Sequence, residues 1–472
     1  MYKKSPWAAV GVLAFGVAVG TLQMTAVVPM LPVLQRELHA PLTSVSWVLT
    51  ASLLSGAVTI PLLSRLGDLY GRRPVAVATL LLLVAGSVMA ALAGTLSVVI
   101  AGRALQGVSA ALLPLAMGIA RQKVTRDRLP TAIGVLSAMI GVGSGAGMIL
   151  AGLAGGGYQA LFWTLAGLGA AGVVLIMLFV REPGRPQAAG RPDYAGAALV
   201  ASWLVCLLLA VSKGAAWGWT SAGTLGLLAA SVVLFALWVV SARRAASPLI
   251  EIPMLLHRGT VGATVASLLL GFALFGTITT LSSVAQVRLG ASVLQVGLYL
   301  LPAALLMLTV SLLAGRLMRR FAAASLVGAG SVVVAVAALW LSVSHGSPAS
   351  LYGASAVLGV GIGLGYAALG TMAVEHVEPA RTAAAGGVNS LVRVVGSSLA
   401  GAVTGAVLSG AGAGWSFAVS AMAALVSAIF GFVQGVYGAR RAEDVRGAAG
   451  DGAAGAAGAD GRATVLAVEE PV

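Results

Sequence analysis

Arg65-Leu66-Gly67-Asp68-Leu69-Tyr70-Gly71-Arg72-Arg73-Pro74 lies between two strongly apolar runs, 46–64 and 75–94. Each run is long enough to cross a bilayer, which takes roughly 20 apolar residues. A connection this short, with three Arg, one Asp and two Gly, makes a tight turn on the charged side of a membrane. Gly67 and Gly71 permit backbone angles or close approaches that a side chain blocks. Arg72 and Arg73 hold the turn on the cytoplasmic side. Asp68 can pair with an Arg or sit against a helix N-terminus, where negative charge is stabilised. On charge alone the stretch could equally be an ordinary basic loop between two spans.

The composition supports the membrane reading. The chain has 472 residues, 59% hydrophobic and 9% charged, where a soluble protein carries about 25% charged residues. The expected fold class is all-α, a polytopic membrane protein whose core is the helix bundle itself. A net charge of +14 could suit a nucleic-acid binder, but the charges sit in the loops between spans, which excludes that partner. Cys206 is the one cysteine and lies within an apolar run, so neither a disulfide framework nor a Cys metal site is expected. His39, His257, His345 and His376 lack metal-ligand spacing. No metal, cofactor or enzymatic nucleophile–base pair is expected. Lys3 and Lys4 before an apolar stretch mimic a signal peptide. No small-residue cleavage site follows before Pro29 and Pro32, so the stretch reads as an uncleaved first span.

Fourteen apolar segments are predicted to span, near 7–33, 45–64, 75–94, 97–120, 131–153, 160–180, 194–212, 221–241, 260–284, 294–315, 323–343, 350–373, 383–408 and 415–437. With the N-terminus inside, only Arg36, Lys213 and Arg288 of the 28 Lys and Arg fall outside, and Arg103 and Arg393 fall within spans. Losing one span would invert every later loop and destroy this asymmetry. The positive-inside rule therefore puts both termini in the cytoplasm. Gly315-Arg316-Leu317-Met318-Arg319-Arg320 repeats Gly67-Asp68-Leu69-Tyr70-Gly71-Arg72 without its acid. Parallel halves related in this way are a transporter feature. The chain divides into an amino-terminal six-span half (1–180), a linker with two inserted spans (181–259) and a carboxy-terminal six-span half (260–437). A tail (438–472), rich in Ala and Gly, is expected to be disordered.

The opening stretch resembles the signature loop of the major facilitator superfamily of transporters, Gly-x-x-x-Asp/Gly-x-x-Gly-Arg-Arg/Lys. Gly67, Asp68, Gly71, Arg72 and Arg73 would then form a conformational latch. The span count points to the fourteen-span drug:proton antiporter branch. Thr21-Leu22-Gln23-Met24-Thr25-Ala26-Val27-Val28-Pro29 is similar to that branch's first-helix motif, but Gln23 stands where its intramembrane Asp is usual. Arg103-Ala104-Leu105-Gln106-Gly107 resembles the fourth-helix motif Arg-x-x-Gln-Gly, whose Arg would assist proton movement or tune a carboxylate. A structural Arg bonded to backbone carbonyls is the other reading of Arg103. Gly143, Gly147 and Gly152 resemble the fifth-helix motif Gly-x-x-x-Gly-Pro-x-x-Gly-Gly, with Met148 for Pro and Ala151 for Gly. Close helix packing explains the same glycines without any export role.

By analogy with that fold, spans one, four, nine and twelve surround a cavity. Its expected residues are Gln23, Met24, Arg103, Gln106, Phe272, Thr279, Ser283, Gln286, Tyr366, Asn389 and Arg393. None of the 14 Asp and Glu lies deep in a span, so the residues themselves do not display a proton carrier. The resemblance implies a monomeric multi-pass protein of the plasma or inner membrane that exports apolar or amphipathic drugs or antibiotics by alternating access. Protons are its implied coupling partner, beside the small-molecule substrate and the lipid bilayer. The alternatives are a uniporter or importer of one metabolite, and a membrane sensor or scaffold that does not transport.

Overall fold

A computed structural model describes residues 6–45, 47–125, 127–153, 157–181, 193–245, 248, 252–253, 257–375, 377 and 382–436. The tail 438–472 and most of the linker before the inserted pair lie outside the described residues. Among the described residues every regular element is helical, and 14 helices are long and apolar enough to cross a membrane. This architecture follows from the solvent: in hydrocarbon each backbone polar group must be satisfied within its own segment, which a helix does.

The ends are set by local chemistry. Asp193 caps the seventh span (Tyr194–Gly214) by accepting from Gly196 N–H at 2.7 Å. Ser292 and Gln295 form a reciprocal capping box at the start of the tenth helix (Val293–Leu317). The sequence predicts a first span over 7–33 whose helix Pro29 and Pro32 loosen near its outer end. The α-helix stops at Ala26, a single 3-10 turn covers Val28–Met30, and helix resumes at Leu31–Glu37. Pro29 and Pro32 have no N–H to give the ladder, which is why the break falls there.

The two six-span halves meet along two seams. On one, the fifth helix (Leu129–Leu153) packs against the tenth. Small residues set their separation: a Cβ on Gly134 would lie 2.8 Å from the Ser311 carbonyl oxygen, and one on Gly145 would lie 3.2 Å from Ala304 Cβ. On the other seam, the second span (Trp47–Tyr70) packs against the thirteenth helix (Thr382–Gly410). The inserted seventh and eighth (Ala222–Arg244) spans pair with each other and lie across this second seam. Their Val200, Leu204, Leu208 and Trp238 share one apolar cluster with Ala57 and Ile60 of the second span and Val388 and Leu391 of the thirteenth. Lys213 places its ammonium 4.5 Å from the centroid of the Trp47 ring, which fastens the inserted pair to the start of the second span.

Candidate functional site

The opening stretch folds as a turn of one residue. The second span ends at Tyr70 and the third (Arg72–Ala91) begins at Arg72. Gly71 between them has φ 105° and ψ 135°, a region L side chains rarely adopt. Its tightness aims Arg72 back across the second span. The Arg72 guanidinium donates from Nε and Nη2 to Asp68 Oδ1 at 2.9 and 2.6 Å, and from Nη1 to the Gly118 carbonyl oxygen at 2.8 Å. Asp68 and Arg72 are each 2% exposed. A Cβ on Gly118 would lie 2.6 Å from both Arg72 Cδ and Nε, so the fourth span (Leu96–Lys123) leaves room for the guanidinium only because it has no side chain there.

The second Asp68 oxygen crosses to the other half. Oδ2 accepts from the backbone N–H of Ala384 at 3.2 Å, in the first turn of the thirteenth helix. That N–H is one of the four a helix leaves unsatisfied at its start, and the helix dipole favours a carboxylate there. Arg121, at the end of the fourth span, makes a parallel crossing. Its Nη1 donates to the Val374 carbonyl oxygen and Thr382 Oγ1 at 2.8 and 2.9 Å, and its Nη2 to the Val377 carbonyl oxygen at 2.8 Å. These bonds gather at the Arg-rich end of the bundle, where the halves are therefore closed against each other. Arg73 turns outward and donates to the Met177 carbonyl oxygen at 2.9 Å. Gly67 is buried, with Leu115 where a Cβ would stand.

The sequence leads one to expect Gln23, Arg103 and Gln106 on a cavity wall. The structure places them inside the amino-terminal half, with exposures of 0%, 1% and 0%. Arg103 Nη1 donates to Gln23 Oε1, to the Gln23 carbonyl oxygen at 3.0 Å and to Gln106 Oε1 at 2.6 Å; its Nε donates to the Val48 carbonyl oxygen at 3.2 Å. Gln106 Nε2 donates onward to Ser87 Oγ at 2.7 Å, and Gln23 Nε2 to Ser109 Oγ at 3.3 Å. The Gln side-chain oxygens and the backbone carbonyl oxygens engage Nη1 and Nε of the guanidinium without compensating its charge, which a carboxylate at position 23 would do. Met24 is half-buried above Gly56 of the second span.

In the carboxy-terminal half, Tyr366 and Asn389 are buried and Arg393 is half-buried. The Arg393 guanidinium lies over the Tyr366 ring, 5.2 Å from its centroid. Along the ninth helix (Arg258–Leu289), Phe272, Thr279 and Ser283 are half-buried and Gln286 is exposed. Thr279 Oγ1 donates to the Phe275 carbonyl oxygen of its own helix at 2.7 Å, so its hydroxyl is engaged locally. Gly143 and Gly147 press the fifth helix onto the first span, where Cβ atoms would meet the carbonyl oxygens of Ala18 and Leu22. Thr25 Oγ1 stitches this contact with a 2.9 Å bond to the Ser144 carbonyl oxygen. Gly152 continues the same helix near its end.

Nothing in the sequence singles out Arg121, Gly118, Ser87 or Ser109. Arg121 reads there as one more basic loop residue, and only its position at a helix end facing another helix end distinguishes it. Among the described residues no three His, Cys, Asp or Glu side chains converge as metal ligands would.

The model of the Major Facilitator Superfamily matches residues 13–401 and, separately, 265–458. The tetracenomycin C resistance and export protein of Streptomyces glaucescens is 30% identical over 342 residues, 71% of this chain and 63% of that protein. An uncharacterized transporter of Mycobacterium tuberculosis is 33% identical, over 70% of this chain and 48% of its own length. The chain thus spans less than two thirds of the length of these two relatives. The multidrug resistance protein Stp of Mycobacterium tuberculosis is 28% identical over 80% of this chain and 71% of that one. The human organic anion transporter MFSD10 shares the fold, with a TM-score of 0.68 over 90% of this chain and 99% of that one at 18% identity.

Proposed function

The chain belongs to the Major Facilitator Superfamily, and from that premise we propose that it is a secondary exporter of apolar or amphipathic small molecules working by alternating access. The observation that carries this reading is the closed Arg-rich end, where one carboxylate holds Arg72 with one oxygen and the N-terminus of the thirteenth helix with the other. Such a contact between halves can be made and broken as a unit, which is what a gate requires. The positive-inside rule puts the Arg-rich end in the cytoplasm, so this form is closed to the cytoplasm. Relatives named as export and resistance proteins support the outward direction and the drug or antibiotic class.

Proton coupling is the mode implied by the family branch. One observation favours a second reading, an uncoupled carrier of one metabolite: among the described residues Asp68 is the one buried carboxylate, and it is held by Arg72 at the end of its span. Flux in proteoliposomes across a panel of lipophilic compounds, with and without an imposed pH gradient, tests both. Gradient-driven efflux of several compounds supports the exporter. Gradient-independent movement of a single metabolite supports the second reading, and no movement of any compound defeats both.

A further inference from the structure

We propose that Arg393, with Asn389 and Tyr366, forms a binding site for the anionic group of an amphipathic organic acid, with a carboxylate as its ligand chemistry. This rests on the reading of the chain as a carrier and narrows its substrate class.

The site stands at the right depth. Arg393 is nine residues along the thirteenth helix from Ala384, roughly 14 Å at 1.5 Å per residue. The hydrocarbon core is about 30 Å thick, so this stretch of the helix lies at a depth near its middle, where transporters hold their substrates. Lipid headgroups do not reach that depth, which leaves a soluble or membrane-dissolved acid as the source of the anion.

The arrangement is built rather than incidental. Ser267 Oγ donates to the Asn389 carbonyl oxygen at 2.9 Å. A Cβ on Gly271 would lie 2.6 Å from the Arg393 carbonyl oxygen and 2.8 Å from its Cγ. The ninth helix is thus pressed against the thirteenth on either side of the Arg stem, and the stem is held in place. Beyond it the charged head is poorly served. A guanidinium carries five N–H donors. Among the described residues, the one hydrogen bond it makes runs from Nη2 to Ser390 Oγ at 3.4 Å, at the long end of the range. The Tyr366 ring face stabilises the charge but provides no in-plane acceptor. One helical turn before it, on the same face, Asn389 is 3% exposed and its Oδ1 has no partner. The amide oxygen and nitrogen are interchangeable in such an assignment, so the orphan position can equally present an N–H₂ donor.

The charge inventory gives the sign of the ligand. Within the spans, the described partners of Arg103 are all neutral, and Arg393 meets only an aromatic face and one hydroxyl among the described residues. The buried carboxylate, Asp68, is spent on Arg72. The interior of the bundle is therefore positive without compensation. A charged group in such a place is costly and marks a substrate pathway by default. A carboxylate accepting two N–H bonds from a guanidinium fork relieves that cost directly, whereas a cationic or neutral compound does not.

The test is binding of a matched pair, naphthylacetate and naphthylacetamide, to the full-length protein in detergent, by isothermal titration calorimetry. The wild type is expected to bind the carboxylate on the order of 10- to 100-fold more tightly than the amide, the worth of one charge-assisted hydrogen-bonded contact. Arg393→Gln is expected to abolish that preference, Arg393→Lys to keep part of it and Asn389→Ala to reduce it several-fold. If Arg393→Gln does not fold, the wild-type ratio and the Asn389→Ala and Arg393→Lys titrations decide. Equal affinities for acid and amide, no binding of the acid, or an unchanged preference in Arg393→Gln overturns the proposal. Flux measured separately in proteoliposomes keeps the two readings apart. Transport restricted to neutral compounds leaves a carrier without this site, and an Arg393-dependent acid preference without any flux leaves the site without a carrier.

Discussion

A buried carboxylate that touches both a guanidinium and a helix N-terminus has its largest effect when it is removed. Without Asp68, Arg72 loses both of its described bonds to Oδ1, and the buried guanidinium loses its carboxylate partner. Breaking a buried pair from one side costs about 3–5 kcal/mol. The cost falls on the closed form, because opening the Arg-rich end lets water reach the guanidinium. About 5.5 kcal/mol carries a two-state equilibrium from 1:99 to 99:1, so Asp68→Asn is expected to shift most molecules towards the form open at that end and to cut turnover. Spin-label distances between the ends of the second and thirteenth helices measure the shift. An unchanged distribution with normal transport would reduce the stretch to a simple turn. Arg103 behaves differently because its partners all lie within one half. Arg103→Met orphans the Gln23 and Gln106 side-chain oxygens, at about 1–3 kcal/mol for each group left unsatisfied. It is expected to lower the melting temperature in detergent without altering those distances. Gln23→Asp supplies the carboxylate the first span lacks, and a new pH dependence of initial transport rates is its expected result.

Among the elements, the turn at Gly71 and the break after Ala26 are both legible in the sequence, since Gly and Pro act on their own backbone. The meeting of Asp68 with the thirteenth helix is legible too, from the dipole of a helix start and the resemblance of the loop. The direction in which Gln23, Arg103 and Gln106 face is not. In a soluble helix the polar stripe names the solvent side. In a bilayer the lipid tails are as apolar as Leu, and nearly every face of these spans is apolar. Nothing in their periodicity separates the interior of a half from the wall of a cavity. Arg121 escapes for a related reason: a helix-end Arg looks the same whether it snorkels to water or bonds a neighbouring helix. Gly71→Ala forces a Cβ into φ 105° and is expected to cost about 1–3 kcal/mol, seen as a lower unfolding temperature. Gly134→Val places a side chain where Ser311 O lies 2.8 Å from the Cβ position. It is expected to wedge the fifth and tenth helices apart, lengthening the distance between labels at positions 128 and 319. No change in that distance would mean the seam absorbs the extra volume.

For the molecule as a whole, the positive-inside rule predicts that the Arg-rich end faces the cytoplasm. In a Cys206→Ser background, Arg319→Cys should resist a membrane-impermeant thiol reagent added outside, while Gly346→Cys at the opposite end should react. The reverse pattern would turn the carrier over in the membrane. The inserted helices bear on the same whole-molecule geometry. Among the described residues they roof the seam between the second and thirteenth helices, and none covers the seam between the fifth and tenth in the same way. The two halves thereby acquire a front and a back. Lipids press directly on the joint at the back, whereas at the front they meet a two-helix buttress that must ride with one half or slide over both. Bilayer thickness and lateral pressure would then be felt unequally at the two joints, and the rocking axis that the proposed alternating access needs would be tied to its surroundings on one side only.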